Sequence, residues 1–200
     1  MAKKILLAGI LGGIGMFVWN FIAHDLTGLG EVGIKEIPNE SAVLGAMRTN
    51  LPEPGFYFFP GFGLPANASR SQKEAAMPEF THKATTGPEG ILIYRPVGEN
   101  PISVRQLITE GGTNILQALL AAFLLAQVGL KRFSSRLGFV IVIGILAAIT
   151  TNISYWNWYR FPTNYTTAQI FTLVAGYAVV GLIAAAIVKS SASKASAASA

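Results

Sequence analysis

Four long apolar runs divide the chain, and a long polar segment separates the first run from the second. The runs are Ile5–Ile22, Asn114–Leu130, Leu137–Tyr155 and Ala168–Val188. Each is close to the ~20 residues that a helix needs to cross a hydrocarbon core of ~30 Å. The pattern therefore predicts four transmembrane helices, with one insert between helix 1 and helix 2.

Acidic residues follow the same division, because all ten lie between His24 and Gly112 and none lies within an apolar run. We interpret the chain as a membrane all-α protein, a four-transmembrane-helix bundle with a small extracytoplasmic insert. The predicted parts are helix 1 in 1–23, the insert in 24–112, helices 2–4 in 113–188 and a disordered cytoplasmic tail in 189–200. The apolar runs contain no charged residue deep in the membrane that could relay protons, which argues against a proton-coupled transporter or pump.

Basic residues predict the orientation of the helices, since Lys and Arg accumulate in the short loops on the cytoplasmic side. If both termini are cytoplasmic, seven basic residues lie on the cytoplasmic side of the membrane. Among the short segments, only Arg160 then lies on the outer side. The seven are Lys3, Lys4, Lys131, Arg132, Arg136, Lys189 and Lys194. The sequence therefore predicts a multi-pass protein with both termini cytoplasmic and the insert outside, in the periplasm if the cell is Gram-negative.

The first apolar run has one alternative interpretation, a cleavable signal peptide with a basic start and an apolar middle. A cut after Ala23 would place the bulky Phe21 at a position that needs a small residue. We therefore expect an uncleaved membrane anchor.

The insert is predicted to be loop-rich α+β, since it contains nine of the ten prolines. A short helix is expected over 39–48, capped by Asn39. Two strands, Gly55–Pro60 and Ile91–Pro96, are expected to pair in a small sheet. The stretch 66–90 is expected to be an exposed loop. The short helix expected over 39–48, with the residues that follow it, has one apolar face, formed by Val43, Leu44, Met47 and Leu51.

Composition and motifs exclude several functions. The chain has no cysteine, which excludes disulfides and thiolate metal sites. The net charge of +5 comes from basic residues at the membrane borders, whereas the insert is net acidic, so nucleic-acid binding is rejected. The sequence lacks Gly-x-Ser-x-Gly, His-Glu-x-x-His and a dinucleotide fingerprint. We predict no enzyme, no catalytic residue and no protein metal site.

Asn20 and His24 are candidate cofactor-binding residues, because their spacing puts both on one helix face at the outer end of helix 1. An imidazole at the membrane boundary can hold the metal of a chlorophyll or a haem. The alternative is an interfacial histidine that hydrogen-bonds the insert or nearby backbone. Nothing in the sequence requires a cofactor.

Polar side chains also form a layer near the outer ends of the predicted helices. Such amides either tie helices together or line a cavity for a small molecule such as a lipid head group or a quinone. The layer contains Asn20, Asn114, Gln117, Thr150, Thr151, Asn152 and Gln169.

Two further features are candidate packing surfaces. Gly9 and Gly13 form a small-xxx-small pair that lets another helix approach closely, whether one of the chain's own or a partner's. Phe56, Tyr57, Phe58 and Phe59 form one aromatic run, which is more than a small sheet is expected to bury. The run predicts a protein interface, or alternatively contact with the membrane surface.

Three segments, Trp19–His24, Gly30–Glu40 and Pro52–Gly61, resemble those of an uncharacterised bacterial inner-membrane protein family with four transmembrane helices. The resemblance implies topology and bacterial origin, and it assigns no chemistry to any residue. From the residues we predict a non-catalytic accessory or scaffold subunit of a larger membrane assembly, which docks through the insert and helix 1. The alternative is a pigment- or haem-binding subunit of a photosynthetic or respiratory complex, with His24 as axial ligand.

Overall fold

The computed structural model of the chain describes residues 1–98, 100 and 102–189. Most of these residues are helical, and a single pair of strands forms a small sheet among them. The predicted disordered tail lies, after Lys189, outside the described residues. The elements are α1 (Ala2–Phe21), α2 (Glu40–Asn50), β1 (Gly55–Phe59), α3 (Arg70–Thr86), β2 (Gly90–Tyr94), α4 (Val104–Gln127), α5 (Phe133–Tyr159) and α6 (Thr163–Ile187).

The chain forms two compact units. The first contains Met1–Ile34 and the described residues from Asn100 onward, and so holds α1, α4, α5 and α6. The second contains the described residues of Lys35–Glu99, which form α2, α3 and the sheet.

Four helices of the first unit are long and apolar enough to cross a membrane, which confirms the predicted number of candidate spans. Helix α4 begins well before its apolar run because Ser103 and Gln106 form a capping box. The Ser103 hydroxyl accepts from the Gln106 N–H at 3.3 Å, and the Gln106 carboxamide oxygen accepts from the Ser103 N–H at 2.8 Å. These bonds satisfy N–H groups that have no partner inside the helix.

Small residues let the helices of the first unit pack closely, and its buried core is rich in alanine. A Cβ atom on Gly9 would lie 2.8 Å from the Leu119 Cα atom, and one on Gly13 would lie 2.7 Å from the Ile115 nitrogen. Both distances are too short for a real side chain, so the backbones of α1 and α4 are in direct contact. The neighbour that Gly9 and Gly13 admit is therefore the chain's own α4.

The sheet of the second unit is antiparallel, and the two predicted strands are confirmed. Helix α2 is also confirmed, although Asn39 does not cap it as predicted. Asn39 has a left-handed backbone (φ 54°), and its side chain makes no cap hydrogen bond. A capping side chain needs an extended backbone to reach the N–H groups of the first turn. The half-buried residues of α2 and its C-cap are the predicted face, Val43, Leu44, Met47 and Leu51.

The prediction of an exposed loop over 66–90 is wrong, because α3 occupies most of this stretch. Ser69 and Gln72 form a capping box at its start. Inside the helix, Arg70 pairs with Glu74 and Lys83 pairs with Glu79. A hydrogen bond from the Lys83 ammonium, together with its charge, holds the pKa of Glu79 below its usual value. The helix buries none of its residues, so it carries no apolar period that the sequence could reveal.

Candidate functional site

A carboxylate and two amides join the end of α1 to the first turns of α4. One Glu110 carboxylate oxygen accepts hydrogen bonds from the Asn20 amide at 3.3 Å and from the Asn114 amide at 3.2 Å. Asn114 is only 2% exposed, Asn20 is half-buried and Glu110 is exposed. Bonds to an ionised acceptor are stronger than bonds between neutral groups. The cluster therefore ties two helices together and leaves its charge facing outward.

Sequence reasoning identified the two amides of this cluster but assigned Glu110 to the polar insert. The available signal was the spacing of Glu110 and Asn114, which lie four residues apart and so share one face of a helix. That signal becomes useful only when α4 is known to begin at Val104.

Three other members of the predicted polar layer are bonded within their own helix. The side chains of Thr150, Thr151 and Asn152 donate to backbone carbonyls four residues earlier, at distances of 2.8 to 3.0 Å. Local bonding of this kind satisfies a polar side chain without any ligand. Asn20 and Asn114 join two helices through Glu110, which favours helix packing for that part of the layer.

His24 lies in a π-helical turn, Ile22–Leu26, that follows α1. The turn is closed by a hydrogen bond of 3.0 Å from the Thr27 N–H to the Ile22 carbonyl. The imidazole is exposed and packs on Gly30, where an added Cβ would lie 3.0 Å from its Cγ atom. The Asn20 amide donates to Glu110, whereas the His24 imidazole packs on Gly30. The two candidate cofactor-binding residues therefore contact different neighbours. Among the described residues, no group of three or more acidic or histidine side chains is placed to hold a metal ion.

The second unit carries an exposed apolar surface on one side of its sheet. The register pairs Phe56 with Ile93 and Phe58 with Ile91, and paired residues project from the same face. We call these four side chains the aromatic sheet face. Phe56 is 55% exposed, Phe58 53% and Ile93 75%. The two phenylalanine rings meet edge to face, with their centroids 5.2 Å apart.

The strand separates the four aromatic residues that the sequence grouped together. Tyr57 projects from the opposite face, is half-buried, and donates its hydroxyl to the Glu53 carbonyl at 2.8 Å. Phe59 is 42% exposed, and its ring lies over Gly90. Ile93 is the residue that sequence reasoning missed. Its position follows from the alternation of side chains along β2 once the strand register is known.

Comparisons with protein-family models, curated proteins and solved structures found no match to this chain. The resemblance to a bacterial inner-membrane family therefore stays a prediction, and the four candidate spans agree with the layout that it implies.

Proposed function

We propose that this chain is a non-catalytic accessory or scaffold subunit of a larger bacterial inner-membrane assembly, and that it docks through the aromatic sheet face. The observation that supports docking is the exposure of Phe56, Phe58 and Ile93 on one side of the sheet. Contiguous apolar surface of this kind marks interaction sites. Aromatic residues are also enriched in the buried centres of protein interfaces.

Helix α1 contributes to docking with a face other than its glycine face, since α4 already covers Gly9 and Gly13. Large apolar side chains recur along α1 at intervals of three or four residues and are exposed, as in Leu7, Leu11 and Ile14. This spacing forms one continuous helix face. In the proposal, that face contacts a transmembrane helix of the partner.

The docking proposal predicts that the double substitution Phe56→Ser with Phe58→Ser releases the partner. Loss of two exposed aromatic anchors should weaken binding by about tenfold or more, because such residues carry much of an interface's energy. The measurement is gentle detergent extraction, followed by size analysis and mass spectrometry of co-purifying subunits. The matched control is Val97→Ser, which removes an 80% exposed apolar side chain outside the face. A monodisperse wild-type monomer with no co-purifying protein would contradict the proposal, as would equal release by the control.

The second candidate function is binding of a pigment or haem with His24 as axial ligand. It is favoured by the π-helical turn, a feature that often occurs at functional sites, and by the exposed imidazole on that turn. The same purified sample serves as its test. A visible absorption band that His24→Ala abolishes, and that His82→Ala retains, would favour this function over the scaffold proposal.

The orientation in the membrane yields a separate prediction, with both termini cytoplasmic and the insert periplasmic. It is supported by one cavity, lined by Met1, Leu130 and Lys189, at which the start of α1, the α4–α5 connection and the end of α6 meet. The basic residues of these segments therefore lie at one end of the helices, as the positive-inside rule requires. Reporter fusions after Ser135 and after Ser71 should report opposite compartments. A signal from the same side in both fusions would refute this topology.

A further inference from the structure

A buried arginine lies at the basic end of the helices. Arg136, in the first turn of α5, is only 6% exposed. Its Nε donates to the Ala185 carbonyl at 2.9 Å, and its Nη1 donates to the carbonyls of Leu130 and Lys131. All three acceptors are neutral backbone groups. Its Nη2 donates to none of the described residues.

The charge of Arg136 has no acidic partner in the part of the chain that the structure describes. The sequence explains this, since every Asp and Glu lies between His24 and Gly112, before α5 begins. Buried charges are normally paired, because moving an ion out of water costs free energy. The carbonyls at the end of α6 supply part of the missing negative potential. None of them supplies a full charge.

Arg136 lines a small cavity that opens to solvent. Lys189 adds a second cationic residue to the lining, and Leu125 and Val188 add apolar surface. We call this site the basic cavity. It combines positive charge, a guanidinium Nη2 without an acceptor among the described residues, and apolar wall at the end of helices that could span a membrane.

We propose that the basic cavity binds a phosphate group, supplied by an anionic lipid head group or by free phosphate. The Nη2 group of Arg136 keeps its N–H donors available to phosphate oxygens, because Nε and Nη1 donate to the three carbonyls. Basic pockets between membrane helices on the cytoplasmic side are suited to anionic head groups. The phosphate would lie at the open mouth of the cavity, and the acyl chains of a lipid would extend from there along apolar helix surface. A bound phosphate would balance the buried charge of Arg136.

The test uses the full chain, purified and delipidated in an uncharged detergent, and measures its Tm as ligand is added. Phosphatidylglycerol should raise Tm with increasing concentration, because a ligand that binds only the native state stabilises it. Phosphatidylcholine should raise it less, since its choline group neutralises the phosphate. A rise with inorganic phosphate alone, at matched ionic strength, would assign the site to free phosphate. No rise with either phosphatidylglycerol or inorganic phosphate would overturn the proposal.

Variants test whether the response comes from the basic cavity. Lys189→Gln leaves the carbonyl bonds of Arg136 intact, so it should fold normally and bind phosphatidylglycerol roughly tenfold more weakly. Arg136→Lys keeps the charge and removes the Nη2 donor, and it should weaken binding at least as much if it folds. Arg105→Gln removes the same charge from the first turn of α4, at its other end, and should bind like the wild type. Equal affinity of Lys189→Gln and Arg105→Gln would overturn the proposal.

Discussion

Replacement of Gly13 by leucine should lower the free energy of unfolding by about 3 kcal/mol, at the upper end of the usual cost of overpacking a core. A Cβ atom at this position would lie 2.7 Å from the backbone nitrogen of Ile115, and that nitrogen cannot rotate away as a side chain can. Leucine therefore fits only if α1 and α4 separate along their contact. Unfolding titrations in detergent, followed by circular dichroism, would measure the loss.

The matched control is Gly138→Leu in α5, because a Cβ atom there would meet nothing within 4 Å. Both substitutions gain the same helix propensity, so the difference between them reports packing alone. The control should be no less stable than the wild type. If Gly13→Leu were as stable as Gly138→Leu, the direct contact between the backbones of α1 and α4 would be wrong.

The candidate spans could be predicted from the sequence because a helix that crosses a hydrocarbon core must be long and apolar. Each helix meets this requirement with its own residues, without contacts to the rest of the chain. The strands could also be predicted, since aromatic and branched residues bounded by proline are typical of strands such as β1 and β2. Helix α3 could not, because none of its residues is buried and its half-buried ones, Ala76, Phe80 and Ala84, form only a narrow apolar stripe. Its only sequence signals are the capping box at Ser69 and the pairs of charges four residues apart.

The candidate sites were less predictable, because each depends on contacts between distant parts of the chain. Asn20 and Glu110 meet only when α1 and α4 pack together. Ile93 joins the aromatic sheet face only through the strand register. Tyr57 is different, because the alternation of side chains along a strand already separates it from Phe56 and Phe58.

The role of Arg136 also depends on contacts between distant parts of the chain, so it could not be predicted from the sequence. Its replacement is the second substitution for which we expect a large loss of stability. In the sequence it is one of three basic residues in a short connection, and nothing there distinguishes it from Arg132. In the structure it joins three chain segments, because its guanidinium donates to carbonyls in the α4–α5 connection and in the last turn of α6. The last four carbonyls of any helix lack partners within that helix. Arg136 supplies one of them, that of Ala185, with a charged donor.

Arg136→Met should therefore lower the free energy of unfolding by about 2 kcal/mol in delipidated detergent. Methionine keeps much of the side-chain length, and it removes every donor to the three carbonyls. Removal of a buried charge by itself is often neutral or stabilising, and this gain offsets part of the loss. The loss prevails because hydrogen bonds to a charged group contribute about 1.5–3 kcal/mol each, and the carbonyl of the buried Ala185 is left without a charged donor. Arg132→Met, at an exposed position, is the control and should change stability by less than about 0.5 kcal/mol. Equal stability of the two variants would mean that desolvation of the guanidinium cancels its hydrogen bonds. In that case Arg136 would not hold the ends of these helices together.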